Sequence, residues 1–220
     1  MLKCVIFDLD GVLVSTDELH YQAWKAIADK LGVPFTREDN MRQRGVSRME
    51  SLEVVLEKCP RSFTQEEKLA LAEEKNDLYR SMLSGLSADD ALPGVRDTLD
   101  MLRARGIVTA VGSSSKNTPE ILRRTQLEDG MQVVVSGLDI THSKPHPEVF
   151  SKAGERAGFA PHECLVVEDA ATGVQAGKAA GMRVLAVGAA KDNQQADFRF
   201  ETLAEALPHW ESIFSAFDLE

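Results

Sequence analysis

With 220 residues, 43% of them hydrophobic, the chain is long enough for one substantial core plus a smaller inserted domain. Its net charge of −10, with no run of Lys and Arg, excludes nucleic acid or an anionic membrane as the main partner, because both need a basic footprint. Cys4, Cys59 and Cys164 are odd in number and widely spaced, which predicts reduced thiols used as buried filler, not a disulfide framework or a zinc site.

In chain order, Cys4-Val5-Ile6-Phe7 predicts an apolar strand running into Asp8-Leu9-Asp10-Gly11. No basic leader or long apolar stretch precedes it, and no window approaches ~18 consecutive apolar residues, so a cytoplasmic location is expected. Ser15-Thr16-Asp17-Glu18 reads as a capping box that opens a helix, with Leu19, Ala23, Ala26, Ile27 and Leu31 on its apolar side and a stop at Gly32. Further helices are predicted near 37–44, 48–58 and 65–83, before Leu92-Pro93-Gly94 breaks the series.

The rhythm then changes. Helices near 95–105, 119–125, 147–157 and 171–180 alternate with apolar strands near 107–112, 132–135, 164–167 and 183–187. That alternation predicts an α/β fold, a doubly wound parallel sheet of Rossmann type. Residues 1–14 and 91–220 form its core, and the all-helical block 15–90 is an insertion after the first strand.

Chemistry is expected at the strand ends, where open α/β sheets place their ligands. Asp8 and Asp10 alternate along extended backbone and so project together; two like charges that close suit a hard cation such as Mg²⁺, although a plain Asp-Gly turn accounts for the same residues. Ser113-Ser114-Ser115-Lys116-Asn117 offers hydroxyls and a cation before a helix start, Lys144 stands between Ser143 and Pro145, and Glu168-Asp169 is a second acidic pair at a second strand end. Glu168 and Asp169 read equally as carboxylates favoured at a helix N-terminus.

Taken together, these segments resemble the haloacid dehalogenase superfamily of aspartate-dependent phosphotransferases. FDLDGVL resembles its first motif, Ser113 its second, Lys144 its third and VVEDAATGVQAGKAAGM its fourth, in the right order. The resemblance implies a Rossmann-like core with a four-helix cap, Asp8 as nucleophile and Asp10 as proton donor and acceptor. It also implies Ser113 and Lys144 as catalytic partners, and a Mg²⁺ site built from Asp8, Asp10, Glu168 and Asp169.

The cap is similar to that of the β-phosphoglucomutase-like subfamily. Gly45-Val46-Ser47-Arg48-Met49-Glu50-Ser51-Leu52 resembles its GVSRxxSL loop, and Glu74-Lys75-Asn76 with Tyr79 its ExKNxxY segment. These imply substrate contacts at Gly45, Val46, Ser47, Arg48, Ser51 and Lys75, with Arg48 gripping a second phosphate; an exposed Arg48 and a solvated Lys75 are the alternative. Thr16, His20 and Trp24, four apart on one helix face, are implied in hinge, proton-handling and substrate-wall duties, with interdomain packing as the alternative. Ser114, Ser115, Lys116 and Asn117 are expected to contact the substrate, Ser114 and Asn117 at the phosphate and sugar end. Ser15 and Met49 stand where mutases often carry acidic residues, which bears on the sugar. The expected partner is a phosphorylated sugar, with a sugar bisphosphate as intermediate or activator, and the expected state a monomer or weak oligomer. A mutase is the leading expectation, and a phosphatase acting on a small sugar or polyol phosphate the alternative.

Overall fold

The computed structural model describes residues 1–218. Six strands make one parallel sheet: β1 (Cys4–Phe7), β2 (Val108–Gly112), β3 (Val133–Val135), β4 (Cys164–Glu168), β5 (Arg183–Ala186) and β6 (Phe198–Arg199), in the order β3-β2-β1-β4-β5-β6. Every residue of β1 and β4 is buried, because a parallel sheet is covered on both faces and its strands are apolar throughout. Val5, Phe7, Leu165 and Val167 point into one apolar layer; Cys4, Ile6, Cys164 and Val166 point into the other. The first layer receives α5 (Val95–Ala104), α6 (Thr118–Arg124), α9 (Leu203–Ala206) and α10 (Trp210–Asp218). The second receives α7 (Glu148–Ala157) and α8 (Ala171–Ala179).

The strand order reverses between β1 and β4, which pair in register with Phe7 opposite Val167. The two acidic segments therefore emerge side by side at the switch point where such sheets bind ligands.

Between β1 and α5 lie α1 (Asp17–Leu31), α2 (Arg37–Met41), α3 (Arg48–Leu56) and α4 (Gln65–Leu83). They enclose their own apolar cluster, including Trp24, Ile27, Phe35, Leu52, Val55 and Leu71. The two segments that join them to the sheet run together: Val14 pairs with Ala91, and the Leu92 N–H donates to the Leu13 carbonyl.

The predicted helices and strands are present with ends that move by one to three residues. β6, α9 and α10 were not anticipated. The expected capping box at Ser15–Glu18 does not form; Thr16 is the N-cap of α1 without a side-chain capping bond, since its hydroxyl is engaged elsewhere. Cys4 and Cys164 are buried cross-strand neighbours, whereas Cys59 is only half-buried; all three are free thiols. Among the described residues, no helix is long and apolar enough to cross a membrane.

Candidate active site

β1 ends at Phe7, and Asp8 continues it by donating its N–H to the Val167 carbonyl. The chain then turns at Gly11, whose φ of +78° is in the left-handed region, and a Cβ there would overlap the Asp169 carboxylate. Glycine is thus required for the two acidic segments to approach. Carboxylate oxygens of Asp8, Glu168 and Asp169 lie within 4.8 Å of one another, all on buried residues.

Lys144 is the fully buried counter-charge. Its Nζ lies 2.8 Å from Asp8 Oδ1 and 2.5 Å from Glu168 Oε1, and these two carboxylates hold its pKa above the ordinary value against the pull of burial. Glu168 Oε2 accepts the Ala170 N–H, so both of its oxygens already have partners. Burial, then the neighbouring Glu168 and Asp8 charges, pushes Asp169 up to about 8. Three carboxylates and one ammonium in a buried space leave an excess of negative charge that a divalent cation would neutralise, and the all-oxygen donor set fits a hard one.

Asp10 sits just beyond, on the turn, and not on the strand itself. Its Oδ1 accepts both the backbone N–H and the hydroxyl of Thr16, and Tyr79 donates its hydroxyl to Thr16 in turn at 2.9 Å. Its Oδ2 faces His20 Nε2 at 3.8 Å. Desolvation under the helical layer and the charge of Asp8 raise Asp10 to about 6, despite the Thr16 bonds. A carboxyl that keeps a proton near neutrality is what a general acid needs, and Oδ2 is the oxygen left to carry it.

The opposite wall comes from α1, α3 and α4. Lys75 of α4 is buried, its Nζ 2.8 Å from His20 Nδ1 and over the rings of Trp24 and Tyr79 at 4.9 and 4.6 Å. Among the described residues it has no carboxylate ion-pair partner. Desolvation and the nearby Arg48 charge lower it to about 7, and desolvation with both cations holds His20 neutral. As an ammonium, Lys75 has only hydrogens to offer Nδ1, and in that state the His20 ring proton is on Nε2, toward Asp10. Arg48, at the first position of α3, is partly buried and makes one ion pair, to the exposed Glu73 at 3.3 Å.

A cavity of about 460 Å³ joins the two walls. Of the anticipated residues, Asp8, Asp10, His20, Trp24, Arg48, Ser51, Lys75, Lys144 and Asp169 line it, as do Gly45–Ser47 and Ser113–Asn117. Two do not. Glu168 stands behind Lys144 with no exposed surface, and Thr16 is fully buried behind Asp10, so its place is a support and not a substrate contact. The alternative of a solvated Lys75 is overturned by its burial. Ser115 and Asn117 turn the 113–117 loop inward, for the Ser115 N–H bonds Ser113 Oγ and the Asn117 N–H bonds Ser115 Oγ, both at 3.2 Å.

The sequence reading assigned no role to the lining residues Arg44 and Asn76, nor to Glu50 and Thr172 next to the cavity. Arg44 places its guanidinium 3.0 Å from Asp17 and 3.5 Å from Asp169. Asn76 accepts the Asn117 amide N–H at 3.1 Å, and Glu50 accepts the Ser143 hydroxyl at 2.5 Å. Ser114 and Thr172 donate to the carbonyls of Gly45 and Arg44. Apart from Arg44 to Asp17, these contacts join residues more than 40 apart and close the helical layer over the sheet; Glu50, Asn76 and Thr172 lie inside segments the sequence had singled out, but nothing local shows what they bond.

A buried carboxylate paired with a buried lysine, beside a second carboxylate pair at the switch point of this sheet, is an arrangement suited to aspartate-based phosphoryl transfer. The haloacid dehalogenase-like hydrolase family model matches residues 2–181, and the chain belongs to that family. It is 40% identical over 189 residues to β-phosphoglucomutase of Bacillus subtilis (strain 168), covering 85% of this chain and 84% of that protein. It is 33% identical over 184 residues to the phosphorylated carbohydrates phosphatase of Thermotoga maritima, covering 82% of each. A solved structure of β-phosphoglucomutase from Clostridium difficile superposes with a TM-score of 0.93 at 31% identity, covering 100% of both chains.

Proposed function

We propose that this chain is a β-phosphoglucomutase: it converts β-glucose 1-phosphate to glucose 6-phosphate by way of the 1,6-bisphosphate and an aspartyl-phosphate on Asp8. The observation that carries the reading is that one cavity holds two separate cationic centres. Lys144 serves the nucleophile on the sheet side, and Lys75 with Arg48 waits on the helical side without a carboxylate to neutralise Lys75. A phosphatase needs the first centre alone. A mutase must hold a bisphosphate by both ends, and a buried cation lacking a counter-charge is stabilised by an anion from the substrate. The likeness to a named β-phosphoglucomutase over most of the chain supports the same choice.

In this account Asp8 Oδ attacks phosphorus while Lys144 and the Ser113 hydroxyl take up charge on the phosphoryl oxygens. Asp10 gives its Oδ2 proton to the departing sugar oxygen, and in the return step removes the proton from the other sugar hydroxyl as that oxygen attacks phosphorus. Thr16 and Tyr79 fix Asp10 through Oδ1, leaving Oδ2 free for the transfer. Residues 15–90 act as a cap domain on a core of 1–14 and 91–220, moving about the paired segments at Val14 and Ala91. Ser113–Asn117 with Gly45–Ser47 and Ser51 contact the substrate, and Trp24 walls the sugar. Asp8, Asp169 and the Asp10 carbonyl would hold Mg²⁺, with Glu168 supporting the site because its own oxygens are engaged, and the ion would supply charge neutralisation at the carboxylates and phosphoryl oxygens.

The phosphatase reading draws on the Thermotoga maritima relative, which spans the chain almost as fully. Arg48→Ala separates the two. Removing a desolvated phosphate contact worth about 2–4 kcal/mol lowers mutase kcat/KM by roughly 30- to 1000-fold while monophosphate hydrolysis suffers less. Equal losses in both activities would refute the assigned role.

A further inference from the structure

One cluster outside the cavity is left unused by this chemistry. The Thr141–Pro147 loop carries two histidines that flank the Lys144-Pro145 pair, His142 and His146, and is followed at once by Glu148 at the start of α7. The imidazoles stack with centroids 4.6 Å apart, and ligand atoms of His142, His146 and Glu148 all lie within 4.8 Å of one another. Both histidines are exposed and Glu148 is partly so.

We propose that His142, His146 and Glu148 form a binding site for a borderline divalent cation of the Zn²⁺ class, distinct from the carboxylate site at Asp8. Imidazole nitrogen selects Zn²⁺, Ni²⁺ or Cu²⁺ over Mg²⁺, and two histidines with one carboxylate are a recurrent three-ligand set that leaves a fourth position for water. Ligands of a tetrahedral zinc stand about 3.4 Å apart, so modest rotation of two solvent-exposed rings closes the observed spacing.

The surroundings favour the arrangement. Pro145 and Pro147 bracket His146 and limit the backbone freedom that a bound metal would otherwise have to remove. The N-terminus of α7 opposes a cation, and the Glu148 carboxylate at its first position offsets it. Lys152 donates to Oε1 at 2.6 Å, and Oε2 accepts the His142 backbone N–H at 2.8 Å and the Thr141 hydroxyl at 3.0 Å and faces His142 Nδ1 at 3.1 Å, so the carboxylate is held toward the ring and would exchange one of these bonds for the metal. The backbone N–H of Glu148 donates to His146 Nδ1 at 3.2 Å, which marks Nδ1 as the nitrogen whose lone pair a metal would take in exchange for that bond.

The test is calorimetric titration of the full chain with Zn²⁺ in the presence of saturating Mg²⁺, which fills the oxygen site. Wild type is expected to take up one Zn²⁺ per chain at micromolar metal, and His142→Ala and His146→Ala each to weaken it by roughly 10- to 100-fold, as loss of a ligand does. Asp169→Asn should leave the uptake unchanged. Zn²⁺ binding that survives the double variant His142→Ala/His146→Ala, disappears in Asp169→Asn, or is absent from the wild type overturns the assignment. Because neither histidine touches the cavity, circular dichroism and turnover of the two histidine variants in Mg²⁺ should match wild type, so a folding defect cannot mimic the loss.

Discussion

Asp8 and Asp10 are two residues apart and differ in environment more than in chemistry. Asp8 is paired with Lys144, as suits the proposed nucleophile; Asp10 is bonded through one oxygen, and its desolvation pushes it up to about 6. Asp8→Asn keeps the shape but removes the attacking charge, so no phosphoenzyme should form with any donor. Asp10→Asn should still accept a phosphoryl group from a donor with a good leaving group, such as acetyl phosphate, and fail with sugar phosphates. Phosphoenzyme trapping with both donors checks this; identical failure of the two variants contradicts the division of roles. Lys75 sets a third expectation. A buried ammonium without a carboxylate destabilises the free chain, so Lys75→Met should raise Tm by ~3–6 °C, about 1–2 kcal/mol, while sharply reducing mutase turnover. Scanning calorimetry beside an activity assay reads both, and a variant that loses Tm would show Lys75 to be structural.

At the scale of elements, α4 and the start of α1 hold Asp10, the proposed proton-transfer group, through a relay from Tyr79 to Thr16 to Asp10. Tyr79→Phe deletes its first donor, with an expected loss of about 1 kcal/mol in stability by urea unfolding. Turnover should fall with sugar phosphates but not with acetyl phosphate; an equal fall with both would mean that the relay positions more than Asp10. Most elements were legible in the sequence because their signals are local: β1 and β4 are apolar runs buried on both faces, and the helices carry stops such as Gly32 and Gly158. β6 was not, since two residues have no period to detect. The capping box at Ser15–Glu18 failed because α1 begins one residue later, with Thr16 at the N-cap and Leu19 at N3, and the Thr16 hydroxyl that could have capped it is bonded to Asp10. Arg44 beside Asp169 was invisible for the opposite reason, being 125 positions away in the chain with no motif to mark it. Lys75 could be named from its segment, but its burial and lack of a counter-charge are properties of packed helices.

Over the whole molecule, the buried carboxylates tie stability to pH and metal together. The Asp169 carboxyl is raised from 3.8 to about 8, so between those values the folded chain keeps a proton that the unfolded chain has released, and this group's contribution to stability falls as pH rises. Asp169→Asn removes that dependence. In EDTA the variant should therefore gain Tm relative to wild type as pH climbs from about 4 to about 8, and Mg²⁺ at pH 8 should reverse the order by stabilising only the wild type. Thermal melts at both ends of the range check it, and a difference independent of pH would show that Asp169 is not a strained, metal-seeking acid.

The same arrangement that makes the metal-free cavity unfavourable, acids on the sheet and bases on the helical layer, is what a sugar bisphosphate with Mg²⁺ would satisfy at both ends. Phosphorus NMR of β-glucose 1-phosphate incubated with the protein, Mg²⁺ and a trace of β-glucose 1,6-bisphosphate follows the outcome directly. The account predicts conversion to glucose 6-phosphate with little inorganic phosphate. Release of inorganic phosphate without glucose 6-phosphate would contradict it.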